Sequence, residues 1–264
     1  MSNPFERLRA LARWSGDDDE LACEAATALA ALAGEPGLVV GCRRMLAHHP
    51  DAATLWWVLA HVLASPEPRA AARACRDALD GDRTSDRLAA ALPLQDDGEL
   101  LAVVGWPTAA DRALAERADI DVVAVRIDGI DPTWALRGRT TDRRVRVVEP
   151  WECSTLGVAR LLVPVIALDD RHAVVPAALE ELLWECPTAE VWLLAGIGRV
   201  LPRPLLDALV GACACVDDVD ARVAVSTLGY DRVARVVVPR GAEAPADAVA
   251  GHVCPVPAEL LRPF

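Results

Sequence analysis

The residues best suited to chemistry lie in two polar stretches, and the first is Glu-Pro-Trp-Glu-Cys-Ser-Thr at residues 149–155. If Cys153, Ser154 and Thr155 lie at a helix N-terminus, the backbone amides there would bind an anion and lower the pKa of the thiol. The stretch therefore predicts a phosphate site or a cysteine nucleophile. A helix cap beside a buried cysteine explains the same residues and is the favoured interpretation.

The second polar stretch is the pair Asp169-Asp170, which follows the apolar run from Val163 to Leu168. Two neighbouring carboxylates can transfer protons in catalysis, but they also form turns at strand ends and cap helices. The nearest histidine is His172, and it is interpreted as a loop residue. A turn is therefore the favoured interpretation, and proton transfer is the alternative.

The stretch from Glu190 to Val200 is expected to lie at the centre of the fold. Val191 to Ala195 has the length and apolar character of a strand buried on both faces. Gly196 and Gly198 follow this run, and then Arg199. Because ligands of open α/β sheets bind beyond the carboxyl ends of the strands, this stretch should form the middle of the core and the edge of any site.

The apolar pattern changes near residue 95, which predicts two domains. From Phe5 to about Leu92, apolar residues recur at helical spacing between proline and glycine breaks, as in short antiparallel helices. From Leu100 onwards, apolar strands alternate with helices, as in a doubly wound parallel sheet. We therefore predict an α/β protein with a helical N-terminal subdomain (1–95) and a Rossmann-like parallel sheet with helices on both faces (96–264).

The apolar runs and the breaks between them also predict individual elements of the sheet domain. The expected strands are 100–104, 120–126, 145–148, 163–168, 191–195, 223–225 and 233–238. The expected helices are 108–118, 155–162, 175–186 and 205–215. Residues 93–98 are interpreted as a hinge, and residues 241–257 as a loop.

Composition and charge limit the classes of partner. The formal net charge of -12 should repel phosphate backbones, so no nucleic-acid partner is expected. One arginine cluster (137, 139, 143, 144 and 146) could oppose this field, and it is interpreted as a solvated loop. The first residues contain no apolar signal core and no run has the length of a membrane span, which predicts a cytoplasmic protein without a membrane partner.

The spacing of cysteine, histidine and glycine predicts neither a metal nor a cofactor. The eight cysteines include no Cys-x-x-Cys pair, and the five histidines include no His-x-x-x-His pair. A dinucleotide site needs Gly-x-Gly-x-x-Gly after the first strand, whereas the turn from Val104 to Thr108 has one glycine. A P-loop and a Gly-x-Ser-x-Gly motif are also missing.

Short motifs between about Leu100 and Pro239 follow the order found in one known family. Val147-Val-Glu-Pro resembles a strand ending in Glu-x-Arg-Pro, and Val163-Pro-Val-Ile-Ala-Leu-Asp-Asp is similar to a strand ending in aspartate. Val191-Trp-Leu-Leu-Ala-Gly-Ile-Gly-Arg-Val looks like a strand ending in Val-Gly-Ala-Asp-Arg-Ile. Together these motifs resemble the translation initiation factor two-B regulatory subunits and their relatives, the methylthioribose-1-phosphate and ribose-1,5-bisphosphate isomerases.

The resemblance implies the fold of this family but not the activity of its enzymes. The isomerases carry a catalytic cysteine at the first strand-to-helix turn, where this chain has Val104-Gly105-Trp106. They carry a catalytic aspartate where this chain has Gly198. The Asn-Lys-x-Gly-Thr stretch and the arginine of Glu-x-Arg-Pro are missing as well.

The resemblance and its departures leave three functions open. The leading hypothesis is a non-catalytic binding or regulatory module for a phosphorylated sugar or nucleotide, paired as a homodimer as the resemblance implies. The ligand would bind at the polar and glycine positions around the ends of the matching strands, which are Thr108, Glu149, Ser154, Thr155, Gly196, Gly198 and Arg199. The first alternative is an active sugar-phosphate isomerase that uses Cys153 with Asp169 or Asp170. The second is a structural interaction module whose cleft is filled by Trp106 and Trp192.

Overall fold

The structure is a computed structural model that describes residues 4–14, 16–93, 99–117, 119–137, 145–215 and 224–262, without the side chains of residues 4, 5 and 134. Its helices are α1 (Pro4–Leu11), α2 (Asp18–Leu32), α3 (Leu38–His48), α4 (Ala53–Ala64), α5 (Pro68–Asp80), α6 (Thr84–Ala91), α7 (Thr108–Ala115), α8 (Thr133–Arg137), α9 (Pro150–Leu156), α10 (Leu179–Glu185), α11 (Arg203–Ala214) and α12 (Pro245–Val249). Its strands are β1 (Leu100–Val104), β2 (Val122–Val125), β3 (Arg146–Val148), β4 (Val158–Pro164), β5 (Ala167–Leu168), β6 (His172–Pro176), β7 (Glu190–Leu194), β8 (Val225–Gly229), β9 (Val233–Val238) and β10 (Gly241–Glu243).

The N-terminal half is a layer of helices built around α4. The side chain of Trp56 is fully buried there, and its Nε1 donates a hydrogen bond to the carbonyl of Pro50. Asp17 is the N-cap of helix α2, and its carboxylate accepts hydrogen bonds from the backbone amides of Asp19 and Glu20. The predicted helical character of residues 5–92 is therefore confirmed.

The second half is built on a seven-stranded sheet in the order β10-β9-β7-β4-β1-β2-β3. All pairs are parallel except β9 with β10. The chain adds strands on one side of β1 and then on the other, so the topological switch point lies between β1 and β4. This confirms the predicted Rossmann-like parallel sheet, with β7 inside it.

Alternate residues of each strand face opposite sides of this sheet, as the period of a strand requires. Val104 and Leu193 face a core formed with α9, α10 and α12. Val103 and Trp192 face a second core, formed with α6 and α7. The predicted arrangement of helices on both faces of the sheet is therefore confirmed.

A three-stranded sheet in the order β5-β6-β8 joins the two halves, and the sequence did not predict it. Ala167 and Val174 face the helical core, which also includes α11, whereas Leu168 and Ala173 face the main sheet. Residues 175–186 are therefore not one helix, because Val175 and Pro176 belong to β6 and α10 begins at Leu179. Strand β5 has only two residues, which is too few to show a period, and β6 runs from the expected loop residue His172 into the expected helix.

A second correction concerns residues 149–168. The expected helix over 155–162 begins instead at Pro150, because Glu149 and Glu152 form a capping box around this proline. Gly157 ends the helix in a left-handed conformation (φ 68°), and the chain continues as β4. The expected strand over 163–168 is correspondingly the end of β4 followed by β5.

The C-terminal residues 241–257 are more ordered than the predicted loop, since they contain β10 and α12. Residues 94–98 of the expected hinge lie outside the described ranges. Helix α6, which precedes them, packs on α7 and on the end of the main sheet. The division of the chain at residue 95 stays a prediction. None of the helices in the described ranges has the length and apolar character needed to cross a bilayer.

Candidate functional site

The predicted site residues fall into three places. The first is the crevice, which we define as the segments that follow β1, β4 and β7 together with the residues that contact them. The crevice contains Thr108, Gly196, Gly198 and Arg199. The second place is the β3–α9 junction, with Glu149, Cys153, Ser154 and Thr155. The third is the turn between β5 and β6, with Asp169 and Asp170.

Arg199 lies in the crevice and is held by the helical half. Its Nη2 donates a hydrogen bond to Asp19 Oδ1 at 3.2 Å, and its Nη1 lies 3.6 Å from Asp18 Oδ2. The same Nη1 lies 3.4 Å from the carbonyl oxygens of Val165 and Ile166, which follow β4. Only 16% of the Arg199 side chain is exposed, so these contacts occupy most of the guanidinium.

Arg199 and its neighbouring carboxylates keep one another charged although burial disfavours charge. Burial acts to lower the pKa of the guanidinium, but the carboxylates of Asp19 and Asp18 raise it. Burial raises the pKa of Asp18, and Arg199 opposes that shift. Asp18 therefore depends on Arg199, because without this cation its partly buried carboxylate would lose its charged partner.

Gly198 brings the crevice into contact with α4. The residue has a φ of +83°, and a Cβ added there would lie 3.1 Å from the Cα of Thr54 and 3.2 Å from the Cβ of Trp57. The buried Thr54 hydroxyl in turn donates a hydrogen bond to Asp19 Oδ1 at 3.0 Å. The glycine therefore allows the close approach that also places Asp19 beside Arg199.

Two further carboxylates of the helical half fill the edges of the crevice. Asp17 Oδ2 accepts a hydrogen bond from the Thr108 hydroxyl at 3.0 Å. Asp82 Oδ2 accepts one from the backbone amide of Ile197 at 3.0 Å. A Cβ added to Gly196 would lie 2.8 Å from the same Asp82 oxygen. The crevice is therefore occupied by the chain's own side chains.

The sequence alone does not show the part that these acids play in the crevice. In the sequence, Asp17, Asp18 and Asp19 indicate caps and favourable charges for a helix that begins there, and nothing distinguishes Asp82. One signal was present: a single cap satisfies a helix, so three acids in a row exceed that need. Together with Asp82 they give the crevice a negative field, which opposes the predicted phosphorylated ligand.

The acids of the crevice do not form a metal site with other side chains that the structure describes. Within the described ranges no group of three or more histidine, cysteine, aspartate or glutamate side chains could hold an ion. The expectation of neither a metal nor a cofactor stays a prediction.

The β3–α9 junction is a capped helix. Glu149 accepts a hydrogen bond from Arg126 Nη1 at 2.9 Å, and its backbone amide donates to Glu152 Oε2. The hydroxyls of Ser154 and Thr155 donate to backbone carbonyls three residues earlier. The expected position of these two hydroxyls at the helix N-terminus is therefore wrong, because the helix begins at Pro150 and they lie in its last turn.

Cys153 is buried below this junction. Its side chain is 1% exposed, and its Sγ lies 3.8 Å from the carbonyl oxygen of Glu149. Burial, and then the neighbouring Cys186, raise the pKa of the Cys153 thiol to about 12. The thiol is therefore protonated and inert near neutral pH, since the thiolate is the nucleophile.

Alkylation of the native protein with iodoacetamide at pH 8 should leave Cys153 unmodified. Cys215 is exposed and should react first. Mass spectrometry of the digested protein gives the extent of labelling at each position, and labelling in urea provides the control in which both thiols are accessible. Labelling of Cys153 in the native protein as fast as Cys215 would contradict its burial.

Asp169 holds the turn between β5 and β6. Its Oδ1 accepts hydrogen bonds from the backbone amides of Arg171 and His172 at 2.8 and 2.9 Å. Its Oδ2 is buried without a hydrogen-bond partner in the described part of the chain, and Arg203 Nη1 lies 3.7 Å away. The Tyr230 hydroxyl donates to the carbonyl of Asp169. The geometry is that of a turn residue, as the favoured interpretation expected.

Replacing Asp169 with alanine should lower the free energy of unfolding by about 2 kcal/mol, because two backbone amides lose their acceptor in a buried turn. The matched control is Asp170→Ala, since Asp170 is exposed in the same turn and should change stability by less than about 0.5 kcal/mol. Urea unfolding followed by circular dichroism measures both. Equal effects of the two substitutions would show that the buried contacts of Asp169 contribute nothing.

Trp106 and Trp192, which were expected to fill the cleft, make their contacts elsewhere. Trp106 follows β1 and is packed in the core beneath α6 and α7, and its Nε1 donates to Asp111. Trp192 lies within β7 rather than beyond its carboxyl end, and Arg160 lies over its ring at 5.2 Å. The crevice is filled by ion pairs and hydrogen bonds instead.

Comparisons with known proteins identify the fold. No protein-family model matches the sequence, and no curated protein matches it. A translation initiation factor eIF-2B from Pyrococcus horikoshii OT3 superposes with a TM-score of 0.69 at 13% identity, over 93% of this chain and 98% of that one. The eIF2B beta subunit of Chaetomium thermophilum gives 0.61 at 14% identity, over 96% and 94%. The delta subunit of eIF-2B from A. fulgidus gives 0.56 at 12% identity, over 93% and 88%.

These likenesses extend over both halves of the molecule, including the helical layer. Identities of 12–14% leave the side chains of the site free to differ, so the similarity concerns the backbone. It agrees with the resemblance carried by the strand motifs. The chain therefore has the fold of the eIF2B subunits.

Proposed function

We propose that the protein is a non-catalytic binding and regulatory module built on the eIF2B fold. The observation that supports this most strongly is the occupation of the crevice by Arg199 with Asp18 and Asp19. In a doubly wound sheet the substrate binds at this switch point. At this point of the structure the charged side chains bind one another, so they are not available to bind a substrate or to take part in chemistry.

The candidate catalytic groups of the isomerase alternative support the same proposal. Cys153 is buried and protonated, and Asp169 is committed to a turn. A general base must come within hydrogen-bond reach of the proton that it removes. Cys153 lies on α9 and Asp169 lies in the turn between β5 and β6, so the two residues belong to different elements. Asp170 is exposed in the same turn as Asp169, whereas Cys153 lies on α9.

A test of the proposal is the turnover of ribose 1,5-bisphosphate and methylthioribose 1-phosphate, followed by phosphorus NMR. We expect no isomerisation above the rate without protein, and no change with Cys153→Ala. Turnover that Cys153→Ala abolishes would overturn the proposal in favour of the isomerase. Turnover that survives this substitution would also overturn it, and would assign the activity to other groups.

A phosphorylated sugar or nucleotide is a second candidate, as a ligand rather than a substrate. Arg199 favours it, because a guanidinium at the edge of a parallel sheet binds phosphate well. The ligand would have to take Arg199 from Asp18 and Asp19, in the field of Asp17 and Asp82. Binding would therefore loosen α2 from the segment after β7, and this competition is the regulatory step that we propose.

Thermal-shift measurements with ribose 5-phosphate and AMP separate these possibilities. The competition predicts a larger rise in melting temperature for Asp18→Asn/Asp19→Asn than for the unchanged protein, and no rise once Arg199 is also replaced by alanine. Absence of any shift in all three proteins would reject the phosphorylated ligand and leave the interaction module.

The remaining expectations concern assembly and location. One structure of the same fold is a tetrameric eIF2B-beta2-delta2 complex from C. thermophilum. By analogy we propose that this chain forms a homodimer, which sedimentation velocity would detect. A cytoplasmic location and the lack of a nucleic-acid partner are further proposals that rest on the composition. Of the arginine cluster, residues 139, 143 and 144 lie outside the described ranges, and Arg146 pairs with Glu152.

A further inference from the structure

Two tryptophans on neighbouring helices are the most exposed aromatic side chains in the described part of the chain. Trp151 on α9 is 62% exposed, and Trp184 on α10 is 79% exposed. Helices α9 and α10 pack against each other on one face of the main sheet. Large aromatic side chains in water are typical of surfaces that bind another molecule, and tryptophan contributes strongly at such surfaces.

A groove adjoins Trp151 and reaches α10 at Glu181, one helical turn before Trp184. It has a volume of about 530 Å³ and lies where β2 and β3 end. Pro150 and Trp151 of α9 and Glu181 of α10 line it. Asp128 and Asp131, which follow β2, line it as well. The groove and the two exposed rings together form what we call the tryptophan surface.

The tryptophan surface is negatively charged. Among the described residues that line the groove, the basic one is Arg126, and it is already bound by Glu149 at 2.9 Å and by Asp131 at 3.3 Å. Helix α10 contains three glutamates, no arginine and no lysine. The exposed carboxylates of Asp128 and Glu181 therefore face solvent beside an indole ring.

Exposed indole rings beside carboxylates favour a positively charged partner. Tryptophan is the aromatic side chain that attracts cations most strongly over its face, and carboxylates at the rim add to the attraction. A second copy of the chain fits less well, because a two-fold pair would bring the glutamates of α10 against each other in a protein of net charge -12. Charge complementarity thus favours a basic partner over a second copy.

We propose that the tryptophan surface is a docking site for an arginine- or lysine-rich segment of another protein. The cationic side chains of the segment lie over Trp151 and Trp184, and Asp128 and Glu181 bind its remaining charges. The proposal rests on the proposed function as a binding module and names the chemistry of its partner.

Fluorescence anisotropy with a labelled peptide of alternating arginine and glycine tests the proposal on the full chain. Trp151→Ala/Trp184→Ala should weaken binding about tenfold, because two cation–aromatic contacts are lost. Both side chains are largely exposed, so the fold should survive, which circular dichroism would confirm. Phenylalanine at both positions should recover part of the affinity, since the ring faces are retained.

A matched pair of charge variants separates the site from the general field. Asp128→Asn/Glu181→Gln removes two charges at the surface, and Glu35→Gln/Glu116→Gln removes two exposed charges elsewhere. The first pair should weaken peptide binding several-fold at moderate salt, and the second should have little effect. Equal losses would show non-specific attraction to an acidic protein and would overturn the proposal.

Three other outcomes would overturn it as well. The first is unchanged binding by the double alanine variant. The second is that this variant turns a dimer into a monomer while peptide binding persists, which would assign the surface to a second copy. The third is binding that appears only after arginines 139, 143 and 144 are replaced by alanine, which would show that the chain's own arginines compete. Enzymatic turnover would instead overturn the proposed function and leave the peptide result standing.

Discussion

Replacing Arg199 with alanine will lower the free energy of unfolding by about 3 kcal/mol, because it removes a largely buried cation from its two carboxylate partners. Asp18 and Asp19 would lose their charged partner, and the carbonyls of Val165 and Ile166 would lose a donor. About half of the Asp19 side chain is exposed, so water recovers part of the loss and the effect stays at the lower end for buried pairs. Urea unfolding monitored by circular dichroism measures it.

The control for this substitution is Arg9→Ala. Arg9 pairs with Glu6 on the surface, where 76% of its side chain is exposed. Such pairs contribute little, so the stability should stay within about 0.5 kcal/mol of the unchanged protein. If Arg199→Ala were as mild as Arg9→Ala, the crevice would not be held together by this ion pair.

Replacing Gly198 with alanine will destabilise the protein by about 2–3 kcal/mol, because it adds a steric conflict to the strain of a left-handed conformation. The new Cβ would lie 3.1 Å from a backbone atom of Thr54 and 3.2 Å from the Cβ of Trp57. Relief would require α4 to move away from the segment after β7. Differential scanning calorimetry and urea unfolding both report the change.

Gly34→Ala separates the two contributions. Gly34 also has a positive φ, of +96°, but nothing lies within 4 Å of an added Cβ. It should therefore show the backbone strain alone, about 1 kcal/mol. If Gly198→Ala lowered the free energy of unfolding no more than Gly34→Ala does, α4 would move away from the new Cβ at no cost.

The Gly198 result bears on the missing catalytic acid. The isomerases that the strand motifs resemble carry aspartate at the matching position, whereas here Thr54 and Trp57 of α4 lie where a side chain would begin. Restoring aspartate should therefore destabilise the protein rather than create activity. The close packing of α4 on the segment after β7 requires glycine at position 198 and therefore leaves no space for an acidic side chain.

Much of the fold could be predicted from the sequence because prolines and glycines mark its breaks. The predicted strand 100–104 matches β1, and the run 191–195 overlaps all but the first residue of β7. The small sheet could not be predicted in this way. Strand β5 has two residues, and the turn that joins it to β6 depends on the side-chain contacts of Asp169.

The crevice was predicted in part. Arg199, Gly196 and Gly198 were placed correctly beyond the end of β7, because a strand followed by glycines predicts such an edge. Their partners were not predicted, since Asp19 and Arg199 are 180 residues apart and local periodicity carries no information on such contacts. The exposure of Trp151 and Trp184 likewise depends on which helix faces are covered in three dimensions.

We conclude that the helical half closes the crevice through Arg199, and a double-mutant cycle gives a direct test of this claim. The cycle compares Arg199→Ala, Asp18→Asn/Asp19→Asn and the combined variant by urea unfolding. Residues in direct contact should be coupled, and we predict a coupling energy of about 1.5 kcal/mol or more. Additive effects, within about 0.3 kcal/mol, would contradict the claim.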